Sequence, residues 1–439
     1  MEESVLSAGD TAWILTSAAL VLLMLPGLAF FYGGMTRAKS VLNMMMMVMG
    51  AVFLVGIQWV LYGYSLTFGS GNALIGSFSE YIGLESLMTD DPTATYPAMA
   101  FVAFQAMFAV ITVALIAGAV ADRTKFGAWM IFAGIWATLV YFPVAHWVWA
   151  SGGWIFEGMG PLNGTPAIDF AGGTAVHINA GAAGLALAIV LGKRLGWPKT
   201  PMKPHNLTLV MIGAGLLWFG WFGFNAGSAL AANNTSAVVF LNTFVATCAA
   251  GAGWLIVEKI RDGHATSLGA ASGIVAGLVA ITPACSSVSP IGAIILGAVA
   301  GVLCALAVGL KYRFGYDDSL DVVGVHLVGG LAGTLLIGLL ATEAAPAGVN
   351  GLFYGGGLTQ FWSQLVAAMA VMVYSFVMAM IIGLAIHKTM GMRIPEEDEI
   401  TGIDLTTHAE SAYELAESGS GGKFAGIGQA AAKKEEITV

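Results

Sequence analysis

The sequence predicts an all-α integral membrane protein of eleven transmembrane helices, with the N-terminus outside and the C-terminus in the cytoplasm. Two observations carry this. Hydrophobic residues make up 57% of the chain and charged residues only 10%, far from the balance of a soluble domain. The charges also gather at breaks, leaving uncharged stretches that can each hold the roughly 20 apolar residues needed to cross a bilayer.

The first stretch, 11–36, follows Glu2, Glu3 and Asp10 with no Lys or Arg before it. A secretory signal begins with basic residues and has a shorter apolar run, so this is expected to be a retained first span. Stretches 40–79, 92–121, 126–156 and 170–192 give one span each. Stretches 204–257 and 263–310 are long enough for a pair, and each holds a turn signal, Asn225 to Ser236 and Thr282-Pro-Ala-Cys-Ser-Ser-Val-Ser-Pro290. Stretches 322–342 and 344–387 supply the tenth and eleventh spans.

Orientation follows from the basic residues. Pairs or clusters begin at Arg37, Arg123, Lys193, Lys259, Lys311 and Lys388, after spans one, three, five, seven, nine and eleven. With Lys423, Lys433 and Lys434 in the tail, all 17 Lys and Arg are accounted for, and none follows an even-numbered span. The outer loops then carry ten acids (Glu2, Glu3, Asp10, Glu80, Glu85, Asp90, Asp91, Glu157, Asp169 and Glu343) that face no basic residue. A negative mouth concentrates cations, although any protein obeying the positive-inside rule tends this way. The organisation expected is an extracellular segment 1–10, a membrane domain 11–390 and a cytoplasmic tail 391–439. Beyond Ile394 the tail holds ten acids against three lysines, a solvated segment suited to docking a partner.

Spans one to five and six to ten are equal in number, and five is odd, so the second set is expected to be inverted relative to the first (about 11–194 and 205–342, with the last helix at about 358–388). Two histidines fit that symmetry. Asp169-Phe-Ala-Gly-Gly-Thr-Ala-Val-His177 and Asp318-Ser-Leu-Asp-Val-Val-Gly-Val-His326 each place a histidine eight residues beyond an aspartate. Eight helical residues rise about 12 Å, and half a bilayer core is about 15 Å. If the aspartates mark the two membrane surfaces, both imidazoles lie near the midplane, at the interface of inverted repeats where transporters place their sites. A single histidine there is ordinarily a packing residue with a hydrogen-bond partner. A matched pair points instead to a lined pathway. Flanking glycines, among them Gly172, Gly173, Gly181, Gly329, Gly330 and Gly333, allow close helix approach, so one imidazole can donate to the other provided at most one is charged.

Other chemistries lack their residues. Cys248, Cys285 and Cys304 are an odd set in or beside spans and form no disulfide framework. No metal-ligand spacing, cofactor motif or nucleotide-binding loop appears, so transport is expected to be passive or gradient-driven. No charged residue lies at the middle of a span and no carbonyl-filter repeat stands out, so a bare ion finds no counter-charge. Together with the negative mouth, this suits a weak acid that is cationic outside and neutral inside, such as ammonium or a small amine.

The run from Asp169 through His177 to Lys193-Arg194 resembles the signature of the ammonium transporter (Amt/Rh) family, bacterial Amt branch. So do Phe31-Tyr32-Gly-Gly, Phe104-Gln105 with Phe108, Ala145-His146-Trp147-Val148-Trp149, Trp221-Phe-Gly-Phe224-Asn-Ala-Gly-Ser228, Thr282-Pro-Ala-Cys285, Asp321-Val-Val-Gly-Val-His326 and Arg393-Ile-Pro-Glu-Glu397. The matches run in order from about residue 11 to about residue 414.

The resemblance implies that Trp149, Ser228 and Phe108 form an outer ammonium site, in which ring faces attract the cation and the hydroxyl accepts a hydrogen bond. It implies that Phe108 and Phe224 are a stacked gate, and that His177 and His326 are the paired pore histidines. Asp169 is then a buried residue that orients the outer region by capping span five. Taken singly, a tryptophan here is ordinary interface belt, a phenylalanine is filler and an aspartate is a surface cap. The resemblance further implies transport of ammonium or its analogue methylammonium across the plasma membrane, a lipid-embedded homotrimer with one pore per subunit, and control by a PII-type signalling protein at the cytoplasmic face. The match at Arg393 to Glu397 and Gly402 to Tyr413 supports that partner, whereas Ser418 onward does not. No metal, cofactor or nucleic acid is implied. Two alternatives stand beside this reading: an ammonium sensor of the same fold, which would need a separate signalling partner, and an intramembrane hydrolase, for which no serine nucleophile motif is recognisable.

Overall fold

The computed structural model describes residues 5–89, 94–200 and 202–413, which form helices and connecting loops with no strand among them. Glu2, Glu3, Asp90, Asp91 and the segment from Ser418 onward lie outside the described residues. In chain order the long helices are α1 (Ala8–Met35), α2 (Val41–Phe68), α3 (Ala98–Val120), α4 (Phe126–Trp149), α5 (Gly173–Leu191), α6 (Leu207–Gly227), α7 (Asn234–Asp262), α8 (Ser267–Ile281), α9 (Pro290–Phe314), α10 (Val323–Leu340) and α11 (Thr359–Thr389). Each occupies an expected span. Ten are long and apolar enough to cross a membrane. The exception is α8, whose 15 residues rise about 22 Å, short of a core about 30 Å thick. Pro283 cannot continue a helix, and the chain goes on as buried turns to Val288.

Helix starts follow the local sequence. The side chains of Ser7, Asn206, Asn233, Thr266 and Ser289 each accept a backbone N–H from the first turn of α1, α6, α7, α8 and α9. Ser40 makes no such bond at α2. The tail supplies it: α12 (Glu396–Thr401) leads into α13 (Ile403–His408), and Asp404 accepts from the N–H groups of Leu42 at 3.0 Å and Asn43 at 2.7 Å. Glu399 pairs with Arg393 at 3.0 Å and accepts from Leu195 N–H, while Tyr413 meets His205 Nε2 at 2.9 Å. Lys125 N–H also donates to the Met392 carbonyl and Ile394 N–H to that of Arg123, so the tail as far as Tyr413 is a strap across the α1–α2, α3–α4 and α5–α6 connections.

Two antiparallel helix pairs organise the core. Along α1 and α6, Gly213 faces Phe31 while Gly227 faces Ser17. Along α5 and α10, Gly330 faces His177, Gly181 faces Leu327 and Gly184 faces Val322, so residue numbers rise on one helix as they fall on the other. A Cβ on Gly181 or Gly213 would overlap its neighbour's backbone. Of the most apolar stretch of each helix, 83% is buried in α5 but only 33% in α11, which puts α5 at the centre.

The eight residues from each aspartate to its histidine are not one continuous helix, as the rise of about 12 Å assumed. Asp169 and Asp318 are both buried, and the chain after each is not yet helical. The regular segments start at Gly173 and Val323, each with a π-helical turn that contains the histidine. From Gly173 to His177 the rise is about 6 Å, half the expected value. A carboxylate that caps N–H groups three to six residues ahead folds its own segment back over the helix end.

The α1–α6 contact is testable. Gly213→Ala is expected to destabilise the protein by about 1–3 kcal/mol through overpacking. Gly215→Ala, at a position with open space around it, should raise stability slightly, since alanine is the better helix former. Thermal midpoints in detergent that do not separate these variants would contradict the close approach.

Candidate functional site

At one end lies a cavity of about 510 Å³ walled by Phe68, Phe101, Gln105, Phe108, Trp149 and Ser228, among others. Trp149 ends α4, where its indole Nε1 donates to the Asp169 carbonyl at 3.0 Å, fixing the ring. One turn earlier, the His146 ring lies between the carbonyl oxygens of Thr67 at 2.7 Å and Asn72 at 2.8 Å, which anchors the loop after α2. Ser228 follows the end of α6 and donates its hydroxyl proton to the Phe224 carbonyl at 2.8 Å. That leaves its oxygen free to accept. The side-chain carbonyl of Gln105 is buried without a partner and belongs to the same wall. The cavity therefore offers ring faces and hydrogen-bond acceptors.

Asp169 lies behind this wall. Its Oδ1 accepts from Gly172 and Gly173 N–H, and its Oδ2 from Thr174 and Ala175 N–H, at 2.6–3.1 Å, with the Thr174 hydroxyl as a fifth donor. Both oxygens are saturated. The carboxylate holds the start of α5 and presents the carbonyl that positions Trp149.

Beneath the cavity, Phe108 of α3 and Phe224 of α6 are fully buried, with ring centroids 4.2 Å apart. Phe108 also packs edge-on against Trp149 at 5.8 Å. Phe108 lines the upper cavity and Phe224 the next space down, so the two rings form the partition.

That lower space is about 10 Å³, walled by Phe31, Ile111, Leu115, Val275 and other apolar side chains, with His177 and His326. The imidazoles meet Nδ1 to Nδ1 at 3.2 Å, with centroids 5.3 Å apart. One Nδ1 must donate and the other accept, so in a neutral pair one ring keeps a bare Nε2 and the other an Nε2–H. Double protonation would set two N–H groups against each other. His177 Nε2 is buried with no partner. Trp221 stacks on His177 at 5.4 Å, and its Nε1 donates to the Thr282 hydroxyl at 2.8 Å.

All seven residues singled out from the sequence thus fall into one column: Trp149 and Ser228, the Phe108–Phe224 pair, the two histidines, and Asp169 at its side. Gln105 and Trp221 were visible only as motif letters. Nothing in the linear pattern shows that one carries an unpartnered acceptor and the other braces a histidine.

The Ammonium Transporter Family model matches residues 12–413. An ammonium transporter of Mycobacterium tuberculosis H37Rv is 60% identical, the match covering 93% of this chain and 91% of that protein. Among solved structures, Candida albicans Mep2 aligns with a TM-score of 0.80 at 34% identity, covering 90% of this chain and 88% of that one. A sensor Amt protein aligns with a TM-score of 0.83 at 28% identity, covering 91% and 98%. This multi-pass membrane protein belongs to the ammonium transporter family, whose members are transporters or channels rather than enzymes.

Proposed function

We propose that the chain carries ammonium from the outside to the cytoplasm by stripping its proton at the phenylalanine partition and passing ammonia between the histidines. The observation that carries this reading is the column itself. A cavity of aromatic faces and acceptors is separated by two stacked rings from an apolar slot with paired imidazoles and no fixed charge.

Ammonium is drawn over the face of Trp149 and donates to Ser228 and Gln105. Beyond the rings a single bare imidazole nitrogen cannot replace a lost hydration shell, so a cation is excluded while ammonia passes. Ammonia can donate to the bare Nε2 of one imidazole and accept from the Nε2–H of the other. The proton given up at the rings passes to water in the cavity, and its route across is tautomer exchange along the Nδ1–Nδ1 bond with water at either end, which makes His177 and His326 its relay. The sensor reading, which likeness to a sensor Amt protein at 28% identity touches, is not better supported than transport, and membership of a transporter family sets the hydrolase aside.

The architecture proposed is eleven spans, with α8 as the eighth, the N-terminus outside and the tail in the cytoplasm. The antiparallel pairs α1–α6 and α5–α10 join equivalent members of two five-helix sets, as inversion requires. The working unit is a homotrimer in the plasma membrane, regulated at its cytoplasmic face by a PII-type protein.

Three outcomes follow. Trp149→Leu should weaken apparent affinity for methylammonium by about 1–2 kcal/mol; unchanged tracer-uptake kinetics would remove the recruitment role. His177→Asp or His326→Glu places an acid in the slot and should admit potassium, read as current and growth in potassium without ammonium. A folded, membrane-inserted variant that still excludes potassium would contradict neutral passage. Truncation after Ile394 should abolish capture of a PII protein and, by uncapping α2, cost about 1 kcal/mol of stability, while potassium remains excluded. Retained capture would move docking to the loops.

A further inference from the structure

At the end of the bundle that carries the lysines and arginines, α5 leaves its apolar run at Leu191 and turns through Gly192 to Lys193. Alongside it, the chain leaving α9 passes Phe314, Gly315, Tyr316 and Asp317, and the two walls enclose a groove of about 670 Å³. Its floor is apolar, with Leu185, Ala188 and Ile189 on one side and Phe314 on the other. Ile189 is 50% exposed and Phe314 69% exposed, so the groove opens on the outer surface of the protomer. From Leu185 to Gly192 it runs about 10 Å along the helix, enough to seat the upper part of one acyl chain.

The mouth of the groove is basic, and its charge is not neutralised. Lys193 Nζ lies 4.9 Å above the Trp197 ring and reaches toward Gly315. Trp197 stacks on Tyr312 at 6.0 Å with the planes 5° apart, and the Arg313 guanidinium sits over Phe314 at 5.9 Å. A ring face holds a cation in place without cancelling its charge. The carboxylates that could cancel it are engaged elsewhere: Asp317 with Arg194 at 2.6 Å, Asp321 with Lys311 at 2.6 Å and Glu399 with Arg393 at 3.0 Å. Among the described residues, neither Lys193 nor Arg313 has an ion-pair partner.

We infer that this groove binds an anionic phospholipid, with its phosphate at Lys193 and within the field of Arg313, and an acyl chain along Leu185 and Ile189. A basic mouth over an apolar trough, flanked by interfacial aromatics, matches the headgroup and tail of such a lipid at once. A zwitterionic lipid would fill the trough but gain little at the mouth. A free phosphate would use the mouth alone.

Native mass spectrometry on the purified full-length protein tests this by titration with dioleoyl phosphatidylglycerol or dioleoyl phosphatidylcholine. The wild type should retain the glycerol lipid more tightly. Lys193→Gln combined with Arg313→Gln should weaken it by about fivefold per charge removed and leave the choline lipid unchanged. Lys193→Arg should keep the preference, as should Lys259→Gln at the basic end of α7. Ile189→Trp fills the trough with both charges intact and should weaken both lipids. Equal retention of the two lipids by the wild type would overturn the assignment, as would unchanged phosphatidylglycerol binding in the double variant. Displacement of the lipid by inorganic phosphate would also overturn it, since the site would then take a free anion.

Discussion

Two buried carboxylates set the geometry on which the rest depends. A helix that starts inside a membrane protein leaves its first N–H groups without water, and each costs free energy unless a partner is supplied. Asp169 supplies it for α5, and Asp318 does so for α10, accepting from Val322 at 3.1 Å and Val323 at 2.8 Å. Because both helices begin within the protein, each presents a histidine from its first turns rather than from its middle. Because the helices are antiparallel and glycine-lined, those two histidines meet. The Asp169 cap reaches further, since the same residue's carbonyl fixes Trp149. Charge needed for one helix start therefore positions the outer site and the inner pair together.

On the proposed mechanism the column works through what it omits. Above the phenylalanine rings a cation finds π faces, a hydroxyl whose proton is already committed and an amide oxygen with no partner. Below them it finds aliphatic walls and two imidazoles that share one proton between facing nitrogens. Coulomb attraction fades where it would have to replace water, so the barrier to an ion is the loss of hydration rather than a plug. The stacked rings sharpen that boundary. Trp221 and Thr282 keep the His177 ring flat against the slot, which preserves the nitrogen-to-nitrogen geometry.

Much of this was legible in the sequence. Charge-free runs located the ten helices long enough to cross a membrane, because the cost of burying charge in lipid dictates where charges can fall. The matched aspartate–histidine offsets brought two distant segments to one site. The lead from aspartate to histidine differs from the helix assumed, because spacing alone does not distinguish a continuous helix from a capped, folded-back lead. The short α8 was hidden in an uninterrupted apolar stretch, its end set by Pro283 and buried turns. The roles of Gln105 and Trp221, and the Asp404 cap on α2, depend on contacts between elements far apart in the chain, for which a linear pattern carries no signal.

Neutral passage is the central claim, and current from purified wild-type protein in liposomes adsorbed to a solid-supported membrane, with methylammonium uptake into the same liposomes, tests it most directly. Potassium is the discriminating ion, being a monovalent cation like ammonium but with no proton to give up. Uptake of the amine with no current after an equal pulse of potassium is the predicted result. A potassium current comparable in size to that evoked by ammonium would mean that the slot passes ions, and the account would fail.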